Sequence, residues 1–166
     1  NGQALNYKKY IYIMMNKPKG VLSASEDKKR ETVVDLVPDN LKRSGLFPVG
    51  RLDRDTTGVV LIAKNRYAAE RLNSQIRNNL IKKEYYGICV GKIIEGGEIN
   101  TFIKREAPAK MKRIVADDGQ WAQTIYSPVS EHSKGTLVKL IPITGRTHQL
   151  RVHMSHINHP LYGDYI

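Results

Sequence analysis

Gly50-Arg51-Leu52-Asp53-Arg54-Asp55-Thr56-Thr57-Gly58 stands between two apolar runs, Leu46-Phe47-Pro48-Val49 before it and Val59-Val60-Leu61-Ile62-Ala63 after it. Charges of alternating sign are therefore set between segments that read as buried, with a glycine at each end. Glycine reaches tight and positive-φ backbone geometry at little steric cost, so the segment reads as a sharp strand-to-strand connection. Turn chemistry accounts for the glycines, Asp55 and the threonines. It does not account for a carboxylate, Asp53, between two guanidinium groups, Arg51 and Arg54. Charges brought near a low-dielectric core cost on the order of several kcal/mol unless they are paired. Two readings fit these residues: a solvated turn with surface ion pairs, and a functional charge cluster.

The rest of the composition narrows the partner. A chain of 166 residues suits one domain, or one domain with part of a second. Lys plus Arg number 27 against 16 Asp plus Glu, a formal net charge of +11. On an otherwise ordinary globular composition this points to a polyanion, with nucleic acid as the first candidate. An anionic membrane fits less well, because the basic residues are spread along the chain rather than gathered on one amphipathic helix. The single cysteine, Cys89, excludes an internal disulfide framework and any cysteine-based zinc cluster, and its apolar surroundings read as those of a buried structural thiol. No apolar run approaches the ~18 residues of a membrane span, and no secretory pattern begins the chain, so a cytosolic, cytoplasmic protein is expected.

Before the central stretch, Tyr10-Ile11-Tyr12-Ile13-Met14-Met15 reads as a strand buried on both faces. It stops at Asn16-Lys17-Pro18-Lys19-Gly20, a turn whose lysines are either solvated or hold a phosphate backbone. After it, Val59–Ala63 reads as a second buried strand. Asn65 can cap a helix on which Ala69, Leu72, Ile76 and Leu80 share a face, with Arg66, Arg71 and Arg77 outside. Lys82 and Lys83 lead into a strand through Gly91, on which Tyr85 and Tyr86 must face opposite sides. From Ile93 to Gln120 the signal is weak. Gly96-Gly97 and Asp118-Gly119 mark turns around basic residues Lys104, Arg105, Lys110, Lys112 and Arg113, which fit either an RNA contact or a solvated edge. Trp121–Tyr126 and Thr136–Ile143 read as strands. Gly145 then breaks the chain, and a helix is expected from about Thr147, with Leu150, Met154 and Ile157 toward the core and His148, Arg151 and Ser155 on another side.

His148, His153, His156 and His159 invite a zinc reading, but no Glu or Cys completes a recognisable motif, and no metal site is expected. P-loop and dinucleotide spacings are absent, as is a nucleophile elbow.

Gly50–Gly58 resembles the signature of the RsuA and RluA families of pseudouridine synthases, an Arg-Leu-Asp followed by Ser/Thr-Gly and an apolar strand. Asn16–Gly20, Val21–Ser25 and Thr32–Pro38 resemble the RsuA branch. Lys83-Glu84-Tyr85 matches a Lys-x-Tyr motif. Ala122-Gln123-Thr124-Ile125-Tyr126 and Thr144-Gly145-Arg146-Thr147-His148-Gln149-Leu150-Arg151-Val152-His153 resemble the RluA branch. The resemblance covers most of the chain in separated blocks.

It implies an α+β pseudouridine synthase catalytic fold, a mixed, mostly antiparallel sheet with flanking helices and a basic cleft. It implies Asp53 as the catalytic carboxylate, Tyr85 as the residue stacking on the displaced base and Arg151 as the salt-bridge partner of the acid. Arg51, Arg54, Lys17, Lys19, Lys83, Arg146 and His148 are the expected RNA contacts. By the same resemblance, residues 10–166 form the catalytic domain without its last strands, and residues 1–9 are the tail of an S4-type RNA-binding domain. The expected activity is conversion of uridine to pseudouridine in RNA, ribosomal first and transfer RNA second, by a monomer needing no cofactor. A non-catalytic RNA-binding or ribosome-assembly module is the rival, and a histidine-dependent metal hydrolase is a third reading.

Overall fold

The structure, a computed structural model, describes residues 12–42 and 45–164. The segment 1–9, and Tyr10 and Ile11 of the first expected strand, lie outside the described residues. The chain divides into two compact units, one ending at Ile81 and the other beginning at Lys82.

In the first unit, β1 (Tyr12–Lys17), β2 (Phe47–Val49) and β3 (Gly58–Ala63) form a sheet of order β1-β3-β2, antiparallel throughout. Val49 pairs with Leu61 and Lys17 with Gly58, so the Gly50–Gly58 stretch does connect two antiparallel neighbours. β1 is not buried on both faces. Ile13 and Met15 pack on the core, whereas Tyr12 and Met14 are exposed. β3 behaves alike, with Val60 and Ile62 buried and Val59 exposed. An unbroken apolar run does not say how many faces are covered; the 2-residue period of the strand does. The inner faces meet Val21, Val33, Val37 and Leu46. All four come from the segment between β1 and β2, in which Leu22 and Thr32 form a parallel bridge. Burial of each such side chain contributes about 1.5–3 kcal/mol.

α1 (Arg66–Arg77) lies against β2 and β3 through Ala68, Ala69, Leu72 and Ile76. Asn65 caps it as expected: its side-chain oxygen accepts from the Ala68 N–H at 2.8 Å. The helix stops at Asn78, and Asn79 turns left-handed at φ 54°. Leu80, expected on the core face, therefore lies beyond the helix and is exposed.

The second unit holds β4 (Tyr85–Cys89), β5 (Gly97–Arg105), β6 (Arg113–Val115), β7 (Gln120–His132) and β8 (Gly135–Pro142), ordered β4-β8-β7-β5-β6 and antiparallel throughout. β7 and β8 contain the strands expected near Trp121 and Thr136. β5 and β6 fall in the stretch of weak signal. α2 (Gln149–His156) packs on this sheet, with Met154, Leu150 and Ile157 against Cys89, Ile99, Val138 and Leu140, and Val152 against Ile103, Ala122 and Val115. It begins two residues later than expected, because His148 takes a left-handed φ of 57° at the N-cap. The α+β class, the antiparallel pairing and the flanking helices agree with the sequence. Among the described residues the strands fall into two sheets. No described helix is long and apolar enough to cross a membrane.

Candidate functional site

The loop from Gly50 to Gly58 owes its shape to its ends and to two side chains from the preceding turn. Gly50 and Gly58 both have positive φ, 70° and 133°, a region that disfavours other residues. Ser23 Oγ accepts from the Leu52 N–H at 3.1 Å and donates to the Leu52 carbonyl at 3.0 Å. On the far side of Asp53, the Arg54 carbonyl accepts from Lys17 Nζ at 2.8 Å and from the Gly20 N–H at 2.9 Å. The Thr56 N–H closes the turn onto the Asp53 carbonyl at 3.1 Å. The backbone is thus held immediately before and after a half-buried carboxylate. An acid held in this way is oriented before any ligand arrives, which is what a catalytic group requires.

The expectation that Lys17 contacts RNA phosphates is overturned. Its side chain is fully buried, and its ammonium donates to three carbonyls, those of Pro18 at 3.0 Å, Val21 at 2.9 Å and Arg54 at 2.8 Å. An ammonium has three protons, so none remains for a phosphate. Burial pushes its pKa below the usual lysine value, and the negative charges of Asp55 and Asp53 offset part of that. Lys19, Arg51 and Arg54 are exposed. Arg54 forms a two-point pair with Asp55, Nε to Oδ1 at 3.3 Å and Nη2 to Oδ2 at 3.1 Å, which holds the Asp55 carboxyl below its ordinary pKa. Arg54 is therefore paired with its neighbour Asp55.

In the second unit, Tyr85 is half-buried and packs on the core beside Cys89, while Tyr86 on the other face is 60% exposed. Lys83 is half-buried and points its ammonium at the Thr144 carbonyl, 3.4 Å away; burial lowers its pKa. Arg146 is exposed and donates from Nε to the Trp121 carbonyl at 2.9 Å. Arg151, on the first turn of α2, forms a two-point pair with Asp164, with Nε to Oδ2 at 2.7 Å and Nη2 to Oδ1. Of the expected site residues, Asp53, Arg51, Arg54, Lys17 and Lys19 belong to the first unit. Tyr85, Lys83, Arg146, His148 and Arg151 belong to the second.

Gln149, not among the expected site residues, organises the Thr144–His156 segment. Its Oε1 accepts from Thr144 Oγ1 at 2.7 Å and from the Arg146 N–H at 2.9 Å. Its Nε2 donates to the Gln123 carbonyl at 2.9 Å and to Thr124 Oγ1 at 3.0 Å. Both lone pairs and both protons of the buried amide are used, and the loop is tied to β7. The clue was its place at the start of a helix after a glycine.

The histidines go to separate tasks. His153 is buried between Thr101 and Thr124, bonded to their hydroxyls at 3.0 Å and 2.9 Å, and burial lowers its pKa to about 4. His159 Nδ1 meets the Val90 carbonyl at 2.9 Å. Among the described residues no group of three or more His, Cys, Asp or Glu is placed to hold a metal ion.

A family model described as RNA pseudouridylate synthase matches residues 11–156. The chain is 38% identical over 133 residues to the uncharacterized RNA pseudouridine synthase YjbO of Bacillus subtilis, covering 80% of this chain and 47% of that one. It is 36% identical over 159 residues to the ribosomal large subunit pseudouridine synthase D of Yersinia pestis, covering 92% and 48%. Against the dual-specificity RNA pseudouridine synthase RluA of Vibrio cholerae the figure is 37% over 160 residues, covering 92% and 63%. Among solved structures, human RNA pseudouridylate synthase domain containing 4 superposes with a TM-score of 0.75 at 28% identity, covering 95% of this chain and 66% of that chain. The chain spans about half the length of most of the curated relatives it matches.

Proposed function

The chain belongs to the RNA pseudouridylate synthase family, and from that premise we propose that it isomerises uridine to pseudouridine in RNA. The observation that carries the reading is the clamped backbone on both sides of Asp53, made by Ser23 at Leu52 and by Lys17 at Arg54. The reaction breaks the N1–C1′ bond, turns the freed uracil, forms the C5–C1′ bond, loses the C5 proton and protonates N1. Atoms and charge balance, and no redox partner is needed. Asp53 acts at the ribose, either as nucleophile at C1′ or as base on a ribose proton. Tyr85 offers a ring face to the displaced base, and its core packing fixes that ring. Arg151 is the expected salt-bridge partner that orients the acid.

The target base leaves the RNA stack, a cost that exposed cations such as Lys19, Arg51 and Arg146 offset through the backbone. Ribosomal RNA is the first substrate and transfer RNA the second, in line with relatives named for the ribosomal large subunit and for dual specificity. The likeness of residues 16–38 to the RsuA branch belongs to this proposal as well, so neither branch alone dictates the target.

The test uses ribosomal and transfer RNA transcripts carrying C5-tritiated uridine. The protein is expected to release tritium, and its Asp53→Asn variant to release none while still binding. Binding without release by the unsubstituted protein sinks the enzymatic reading and leaves an RNA-binding module.

A further inference from the structure

Between β6 and α2 lies a pocket of about 310 Å³, walled on one side by Lys112, Arg113, Ile114 and Val115 and on the other by one face of the helix, with Ser155 and His156 at its far end. Arg113 pairs across the strands with Arg105. Directly opposed residues in an antiparallel pair project on the same side, so two like charges face one another, an arrangement that is destabilising by itself. The same register places Val115 opposite Ile103 and thus Arg113 on the side packed by α2. Arg105 resolves part of the conflict by donating from Nη1 to the Pro108 carbonyl at 2.9 Å. Arg113 does not. Its Nε is buried and has no hydrogen-bond partner among the described residues. A buried guanidinium N–H without an acceptor is destabilising, and an anion in the pocket would supply that acceptor.

The other charged groups of the pocket have partners, Lys112 sharing Glu106 with Lys110. Lys112 is bound to Glu106 at 3.4 Å, and the Asp164 carboxylate is held by Arg151. Arg113 is the pocket cation left with a buried N–H unpartnered, and Ser155 and His156 are exposed beside it. We propose that this pocket seats one backbone phosphate of the RNA substrate, with Arg113 as its principal donor and Ser155 and His156 closing over it. The proposal rests on the reading of the chain as an RNA-acting enzyme and adds a binding site that the reaction itself does not require. As a contact to the backbone, Arg113 sets affinity and register rather than the bond changes.

The experiment measures binding of a fluorescein-labelled oligouridine as a function of NaCl concentration. Each phosphate neutralised on a single strand adds about 0.7 to the slope of log K against log [salt]. Arg113→Gln is expected to lower the magnitude of that slope by about 0.7 and to weaken binding at low salt. Arg113→Lys, which keeps the charge, is expected to keep the slope. Ser155→Trp, an exposed change that fills the pocket without altering charge, should lower the slope like Arg113→Gln and serves where that variant does not fold. Unchanged slopes in folded Arg113→Gln and Ser155→Trp, with the unsubstituted protein binding normally, overturn the pocket assignment alone. Absence of binding by the unsubstituted protein removes the RNA reading and the pocket with it.

Discussion

The Gly50–Gly58 loop and the Thr144–Gln149 loop solve one problem by opposite means. Each must hold a run of main chain in an irregular shape, and each does so with one buried polar side chain. In the first, Lys17 brings a full charge into the interior and gathers three carbonyls, with no carboxylate among its hydrogen-bond acceptors. In the second, Gln149 brings no charge and uses a neutral amide whose two halves accept and donate in equal number. The neutral anchor is the less costly device, because burying an ion carries a larger desolvation penalty than burying an amide. What the charged anchor adds is a positive charge bound to the Arg54 carbonyl, one residue beyond Asp53.

That contrast breaks most sharply at the acid itself. Asp53→Asn is expected to lower the rate by about a thousandfold with RNA affinity and melting temperature preserved, read by tritium release beside a binding titration. A variant that turns over normally would remove the first loop from the chemistry. Gln149→Leu comes next. It removes four hydrogen bonds, those to the Arg146 N–H, the Gln123 carbonyl and the Thr124 and Thr144 hydroxyls, for a loss of about 4 kcal/mol in urea unfolding.

The same unit should also lose stability in acid. His153 has a folded-state pKa of about 4 against 6.5 unfolded, so below pH 6.5 the unfolded chain binds the proton more readily than the folded one. Stability contributed by the neutral ring is complete above pH 6.5, falls as the pH drops, and is lost by about pH 4, a swing of about 3 kcal/mol. Urea midpoints followed across that window should show the decline, and His153→Gln should flatten it.

Lys17→Met probes the charged anchor directly. It removes three hydrogen bonds but also the buried charge, so the net loss is smaller, about 2 kcal/mol. Its mark is kinetic: kcat falls and KM stays, because the displaced group is Asp53 rather than a contact to RNA. A rise in KM alone would restore Lys17 to the RNA surface. Ser23→Ala, which frees only the Leu52 N–H and carbonyl, should cost about 1 kcal/mol in the same unfolding assay.

Local rules made parts of this fold legible. Gly50 and Gly58 sit where positive φ is needed, Asn65 caps α1, and Cys89 is buried. Tyr85 and Tyr86 do alternate across β4. The strand β5 was also readable: Ile99, Thr101 and Ile103 alternate with Glu98, Asn100 and Phe102, but the polar residues on both faces weaken the contrast. Leu80 misled because its spacing continues the helical face, while Asn78 and Asn79 end the helix before it. Lys17 and Gln149 misled for a deeper reason. Both are residue types that usually face water, and only carbonyls supplied from distant positions, such as Arg54 and Gln123, make their burial worthwhile. The pairing of Arg151 with Asp164 was hidden likewise, since a sequence lists charges without their distances.

The sole thiol of the chain lies at the end of β4, fully enclosed, and burial raises its pKa to about 11. Alkylating reagents attack the thiolate, so at neutral pH this sulfur stays silent toward a maleimide dye. A cysteine introduced on an exposed strand or helix position would then take the label alone. The protein therefore comes ready for single-site fluorescent tagging, with its native sulfur left in place.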